Sequence, residues 1–506
     1  MRILKRSWMQ LEQHPNQMAF SILVTGLVLY ILTLAPGLLW GGGDFSTFQT
    51  KAYTGQIESN VFGHPLWVIL ARPFLGLPVR DIAYRANLAA AFFAAGALAF
   101  IYLAARLLTR STGASLLATA ALMVSHLFWT YGVLPKPYSL NAFLLSACLF
   151  LVLRWRDTQK GKYLYLAAGL YGLGPFNHLV MLTSVAGFAV FITLVARQSN
   201  PMRRQAFVAI GWLALGLVPF LMLELMPGTD RSASTAIGPF LRGLLDALTV
   251  PSRLAIGLGA GLGLLLYQFI FLTPLGFFGL WRLWKIDRPA AAFLILIALG
   301  DIAFLLGATD PRTGGDYVWN LHYYLMFYLV FALGLAYGLA VWWPRLMRTA
   351  AHRAAIGIAV LLVPIALYGI APIAARPFLS NMPGFRQLGG RDNLTYVLSP
   401  WKHPETGARL FADDIMNALP PHSAIFADYS IWSMLNYLQV VENARLDVSL
   451  FQLPAAGADQ QLPFIAAHAS LGDLFLADTN QYYDIDLIQA HFTLRPKGPI
   501  YQLILK

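Results

Sequence analysis

The stretch Trp40-Gly41-Gly42-Gly43-Asp44-Phe45 sets one carboxylate on a glycine-rich turn, and Gly63-His64-Pro65-Leu66-Trp67 follows in the same loop. It comes directly after the first apolar run, Met18 to Leu39, which is long enough to cross a bilayer. A carboxylate there is a poor membrane anchor. It is well placed as a general base toward a substrate whose lipid tail stays in the membrane. Other side chains that could hold such a substrate are His64, Lys136 between two prolines, His178 after Asn177, and His322 beside Tyr323 and Tyr324. Arg312 and Asp316 join them from the turn-rich stretch Asp310-Pro311-Arg312-Thr313-Gly314-Gly315-Asp316. Each has an ordinary alternative. Asp44 can be a solvated turn residue, His64 a helix cap, Lys136 a snorkelling lysine and His178 a hydrogen-bonded structural imidazole. Arg312 with Asp316 can be a surface pair, and His322 with its tyrosines part of an interfacial aromatic belt.

The elements that must position these residues are membrane spans. Of the 506 residues 58% are hydrophobic and 12% charged, with mean hydropathy +0.59, which excludes an ordinary soluble protein. Eleven spans are expected, at 17–38, 82–106, 112–130, 137–153, 162–176, 179–197, 205–226, 257–280, 290–308, 321–343 and 353–372. The formal charge of +12 does not point to nucleic acid. Residues 1–372 carry 27 Lys and Arg against 12 Asp and Glu, while residues 373–506 carry 9 against 12. With the N-terminus in the cytoplasm, 18 of those 27 cations fall in inner segments, the bias that sets orientation. The first run reads as a retained signal anchor, and the odd number of spans puts the C-terminal segment outside. The same topology puts Asp44, His64, Lys136, His178, Arg312 and His322 on the outer side. Within the spans, Asp301 is costly unless paired or facing a cavity. The one cysteine, Cys148, lies in an apolar run and excludes an intramolecular disulfide.

Two regions follow: a transmembrane domain, 1–372, with a long first outer loop, 39–81, and an extracytoplasmic α/β domain, 373–506. In the loop, Leu66 to Leu75 is apolar but too short to span and reads as an interfacial helix. In the C-terminal domain, Ser423 to Asp428, Asp447 to Leu453, Asp473 to Ala477 and Ile500 to Leu505 read as strands. A helix from Ile431 to Val441 lies between the first two, which suggests a small, partly parallel sheet. No glycine-rich phosphate loop joins these elements, and no metal motif occurs.

The whole pattern resembles the GT-C superfamily of polyprenyl-phosphate-sugar glycosyltransferases. More narrowly it resembles the "domain of unknown function 2723" family, related to protein O-mannosyltransferases. Trp40 to Phe45 is similar to that family's W-D-S-G-E-F, and His64-Pro65-Leu66-Trp67 to a shortened H-P-P-G-Y-P-L. Phe128-Trp129 with Tyr138-Ser139-Leu140-Asn141, Gly174 to His178 and Tyr323-Tyr324 match further family segments, as do Ala424 to Asp428, Tyr437 to Gln439 and Arg445 to Val448. Two positions depart: the first acidic position of the turn is Gly41, and the family's Glu before the tyrosine is replaced by Pro135-Lys136-Pro137.

The resemblance implies a polytopic helical membrane enzyme of about eleven spans, transferring a sugar with inversion. The donor would be a polyprenyl-phosphate-linked mannose or other hexose, the acceptor an extracytoplasmic protein, lipid or glycan. Asp44 would be the base, with His64, Lys136, His178, Arg312, Asp316 and His322 binding substrate and Lys136 and Arg312 holding the phosphate. A divalent cation is left open, and a bacterial inner-membrane location is expected. A transporter or flippase for a lipid-linked glycan, or a non-catalytic assembly protein, are the alternatives.

Overall fold

The computed structural model describes residues 14–506 apart from 42–43, 59–62, 227–232, 314–319, 347–348, 381–384, 386, 458 and 471. Among the described residues nine helices are long and apolar enough to cross a membrane: Pro15–Leu32, Ile82–Thr109, Tyr138–Thr158, Leu179–Ala196, Asn200–Glu224, Pro251–Ile286, Arg288–Ala308, Leu321–Arg345 and Ala351–Ala375. The chain is a multi-pass membrane protein. The expected span at 162–176 is the helix Gly161–Leu173, whose 13 residues run into a 3-10 turn, Gly174–Phe176. At 1.5 Å per residue it reaches about 20 Å, short of the ~30 Å hydrocarbon core.

The expected span at 112–130 is broken. Thr112–Met123 and His126–Gly132 meet at 67°. Neighbouring spans satisfy the backbone groups that the break releases. The Tyr30 hydroxyl donates to the Met123 carbonyl (3.0 Å), while the His126 and Leu127 amides donate to the Tyr368 hydroxyl (3.1 Å) and Gln268 Oε1 (2.8 Å). Asp301 has a comparable task, because its Oδ2 accepts the Phe327 amide (2.9 Å) in the first turn of the next span. At the centre, Ile82–Thr109 packs against Pro15–Leu32 and Tyr138–Thr158. Ala86, Ala89, Ala90, Ala94 and Ala97 are fully or almost fully buried there, and such small side chains let helix axes approach closely.

The loop between the first two long spans folds into the helix Phe45–Thr54 and a short apolar helix, Pro65–Ala71, continued by a 3-10 turn, Arg72–Gly76. The short helix has two faces: Trp67 and Val68 are buried, Ile69 and Leu70 exposed.

The C-terminal sheet holds β1 (Ala424–Ala427), β2 (Ser449–Gln452), β3 (Leu474–Leu476), β4 (Phe492–Lys497) and β5 (Ile500–Leu505), in the order β2-β1-β3-β5-β4. β1 is parallel to β2 and β3; β5 is antiparallel to β3 and β4. The helix Tyr429–Glu442 makes the crossover from β1 to β2. β4 is the strand that the sequence pattern does not announce. It pairs only with β5 and carries Arg495, Pro496 and Lys497, residues that edge strands tolerate and that mask a strand's alternation.

Side-chain alternation divides this domain into two cores. Ala424, Phe426, Leu474 and Leu476 face Ile465, Ile488 and Phe492. Ile425, Ala427 and Phe475 face the other way and share a core with Leu38, Leu39, Trp40 and Phe45 of the first loop. Trp40 is fully buried and donates its indole N–H to Glu405 (2.9 Å).

Candidate active site

Two residues of the first loop hold unusual backbone conformations directly before helices. Asp44 (φ 65°) precedes Phe45–Thr54, and His64 (φ 54°) precedes Pro65–Ala71. Both lie in the left-handed region, which Asp and His visit more readily than most residues, and such strain persists where surrounding structure holds it. Asp44 caps its helix with no side-chain hydrogen bond. Its carboxylate turns instead to Lys136, whose Nζ donates to Oδ2 at 3.0 Å.

Lys136 is almost fully buried. Its ammonium lies 5.6–5.7 Å from the ring centres of Phe45, Phe48 and Tyr138, an aromatic cage that favours a cation. Pro135 and Pro137 limit the backbone on either side. The Asn177 amide fixes the second proline, donating to the Pro137 carbonyl (3.0 Å) and to Asn141 Oδ1 (2.6 Å). Burial by itself would raise the Asp44 carboxyl. The charge and hydrogen bond of Lys136, with Tyr429 and Lys51, outweigh it and hold the group ionised below the usual carboxylate range.

The imidazoles form a stack beside this pair. His64 lies 4.8 Å from His178, the rings within 17° of parallel. Tyr138 lies 5.3 Å from His178 and 3.9 Å from His322, which in turn meets the Tyr131 hydroxyl through Nδ1 (3.2 Å). His64 Nδ1 must carry a proton, because its partner at 2.8 Å is the Asn177 carbonyl. His178 Nδ1 must lack one, because it accepts the Val180 amide (3.0 Å). Burial, reinforced by the nearby lysine charges and opposed by the Asn177 carbonyl, pushes His64 down to about 3. Burial, then His64 and Lys136, pushes His178 the same way. Both are neutral donors and acceptors at physiological pH, not cations.

The C-terminal domain closes one side. The Tyr429 hydroxyl hydrogen-bonds the Asp44 carboxylate and Thr47 Oγ1 (2.8 Å). Ser46 Oγ donates to Ser433 Oγ at 3.0 Å. Gly41 shows how tight this seam is: a Cβ there would lie 1.9 Å from the Ser430 carbonyl oxygen and 2.1 Å from Ser433 Oγ. The acidic side chain that the family resemblance places at this position has no room here.

Asp44, His64, Lys136, His178 and His322 thus lie in one continuous cluster. Arg312 is engaged elsewhere. Its guanidinium bonds Asp310 (2.6 Å) and Asp246 (3.3 Å). Asp316 lies outside the described residues. His322 and Tyr323 pack edge to face at 4.3 Å inside the ring cluster. The sequence reading missed Tyr429, which stands 385 positions from Asp44 and carries no local signal, and Tyr131, hidden in an apolar run. Among the described residues no group of three His, Cys, Asp or Glu side chains could hold a metal ion. One carboxylate, already paired with an ammonium, is a poor donor set for a divalent cation.

A cavity of about 450 Å³ adjoins the cluster, lined among others by Phe45, Tyr131, Leu134, Leu264, Tyr267 and Tyr396. Its lining is largely apolar, so it suits a hydrocarbon chain.

The family described as "Protein O-mannosyl-transferase TMEM260 N-terminal domain" matches residues 48–201, a segment that holds His64, Lys136 and His178. By sequence, no curated protein matches. Among solved structures, ArnT from Cupriavidus metallidurans in the apo state aligns with TM-score 0.57 and 14% identity over 96% of this chain and 97% of that one. The same protein bound to undecaprenyl phosphate aligns with TM-score 0.55 and 13% identity, over 96% and 98%. The oligosaccharyltransferase AglB from Archaeoglobus fulgidus, in complex with an inhibitory peptide and a dolichol-phosphate, aligns with TM-score 0.50 and 13% identity, over 97% and 74%. By fold, the chain is similar to ArnT and to the oligosaccharyltransferase AglB along most of its length, and its residues 48–201 match the O-mannosyl-transferase family model.

Proposed function

We propose that this protein transfers a sugar, mannose or another hexose, from a polyprenyl phosphate to a protein, lipid or glycan acceptor outside the cytoplasm of a bacterial cell. The observation that carries this reading is the Asp44–Lys136 pair at 3.0 Å, set in an aromatic cage next to an apolar cavity. Proteins of the same fold that bind undecaprenyl phosphate or dolichol-phosphate support it. The acceptor oxygen attacks the sugar C1 from the face opposite the phosphate. The C1–O bond to phosphate breaks with its electron pair on the leaving phosphate, and the acceptor proton passes to Asp44. This single displacement inverts C1. A carboxylate with a lowered pKa is a weak base, so it takes the proton late, after the forming bond has made the acceptor oxygen acidic. Lys136 holds that carboxylate ionised and offsets the charge developing on the phosphate.

A flippase for a lipid-linked glycan would use a broken helix with open backbone groups near mid-membrane. The broken span here has its groups satisfied by Tyr30, Tyr368 and Gln268, which favours transfer. The test is transfer from radiolabelled polyprenyl-phosphate sugars by purified protein in liposomes, with a membrane extract as acceptor. Asp44→Asn should lose transfer by about 100-fold or more while retaining donor binding. Equal transfer by both proteins would remove Asp44 from the mechanism. Donor movement across the bilayer without transfer would replace the enzyme with a flippase.

A further inference from the structure

The cavity beside the active site has a cation in its wall that the transfer chemistry above does not use. Lys402 is 2% exposed, and its ammonium donates to the Tyr396 (2.8 Å) and Ser399 (2.6 Å) carbonyls. No carboxylate lies within ion-pair distance of it among the described residues. A buried ammonium without a counter-ion is costly, and two carbonyls leave its third proton to be satisfied.

Its position is built rather than accidental. The segment 398–402 is strapped to four membrane helices: the Lys402 amide donates to the Thr33 carbonyl (2.8 Å) and the Tyr267 hydroxyl to the Leu398 carbonyl (3.0 Å). Ser399 Oγ donates to the Tyr368 carbonyl (3.1 Å), and Trp401 packs edge to face on Trp129. These straps hold Lys402 at the boundary between the apolar cavity and a more polar pocket of about 600 Å³ on the C-terminal domain. Further buried polar atoms border the cavity unpaired: Thr130 Oγ1 and the Tyr396 hydroxyl. A purely hydrocarbon occupant would leave all of them unsatisfied. Gly263, on the helix Pro251–Phe269, lines the cavity, and an added Cβ there would meet nothing within 4 Å.

We propose that this cavity holds the polyprenyl chain of the lipid-phosphate carrier and that Lys402, from the C-terminal domain, is a binding residue for its phosphate. This rests on the transferase reading and names the site of its lipid. Lys136 divides its charge between Asp44 and the phosphate, and Arg312 is paired with two carboxylates, whereas Lys402 is the buried cation that lines the cavity with no carboxylate in ion-pair distance among the described residues. Burial pushes Lys402 down to about 7 against a smaller pull from Glu405, and an anionic headgroup would restore its charge.

The test measures binding of undecaprenyl phosphate, undecaprenol and phosphatidylglycerol to the full-length protein in detergent by native mass spectrometry. Wild type should prefer undecaprenyl phosphate to undecaprenol by ~10-fold or more, the scale of one charge-assisted hydrogen bond. Lys402→Met should erase that preference and still bind undecaprenol. Gly263→Phe, which fills the cavity and keeps Lys402, should weaken both polyprenyl ligands. A preserved phosphate preference in Lys402→Met, or unchanged binding in Gly263→Phe, would overturn the proposal. So would phosphatidylglycerol competing equally with undecaprenyl phosphate, because the cavity would then hold a bulk membrane lipid. If binding behaves as expected but no donor supports transfer, the transferase reading fails while the lipid-phosphate site stands.

Discussion

Asp44 is held ionised by its neighbours while its side chain stays partly open to solvent. Its low pKa reflects a contest in which burial pulls the carboxyl up and Lys136 pulls it further down. Lys136→Met removes the second effect and keeps the first, so the Asp44 pKa must rise. If the ionised carboxylate is the base, wild-type kcat/KM should show no acid limb above the ordinary carboxylate value of about 4, whereas in Lys136→Met the limb should move to higher pH. The measurement is the pH profile of transfer for both proteins. An acid limb at the same pH in both would uncouple Lys136 from Asp44. The paired imidazoles add no such limb near neutral pH, because burial pushes His64 down to about 3 and His178 in the same direction.

At the scale of elements, two short helices in the first loop carry the site, and the crossover helix Tyr429–Glu442 presses on the first of them. Gly41 is where this approach is tightest. In Gly41→Ala the new methyl would overlap the Ser430 carbonyl, so backbone must move on one side of the seam. Overpacking of this kind costs about 1–3 kcal/mol. The expected result is a lowered midpoint of thermal unfolding and at least tenfold weaker transfer, because Tyr429 no longer meets Asp44. Hydrogen exchange in Tyr429–Glu442 would report the loosening directly. Unchanged exchange and transfer would mean that the seam tolerates a side chain.

For the whole molecule, the C-terminal sheet and the membrane helices are not independent bodies. One face of the sheet is completed by Leu38, Leu39, Trp40 and Phe45, and Trp40 alone removes a large apolar surface from water. Expressed by itself, the segment 376–506 should lack a cooperative thermal transition and should expose enough apolar surface to bind a hydrophobic dye. A sharp unfolding transition for that fragment would show that the sheet does not need the loop. The shared core also explains how a residue from the C-terminal domain can reach the membrane cavity: the strapped segment 398–402 hangs from the same seam.

The sequence by itself determined the membrane class, the positions of the apolar segments, the parallel core of the small sheet and the loop that carries Asp44. Each of these is written in local patterns: runs of apolar residues, alternation within strands, glycines and prolines at turns. It also singled out His64, Lys136, His178 and His322, because imidazoles and an ammonium at span ends are costly enough to stand out. Only the tertiary structure decided which of these meet. It joined Lys136 to Asp44 across 92 positions, sent Arg312 to Asp246 and Asp310, and gave Asp301 a backbone amide as partner. It also brought Tyr429 and Lys402 to the site from a domain whose local sequence gives no hint of it. Ion pairs and cavities form between side chains far apart in the chain, and no periodicity along a sequence encodes which distant segments will close around the same space.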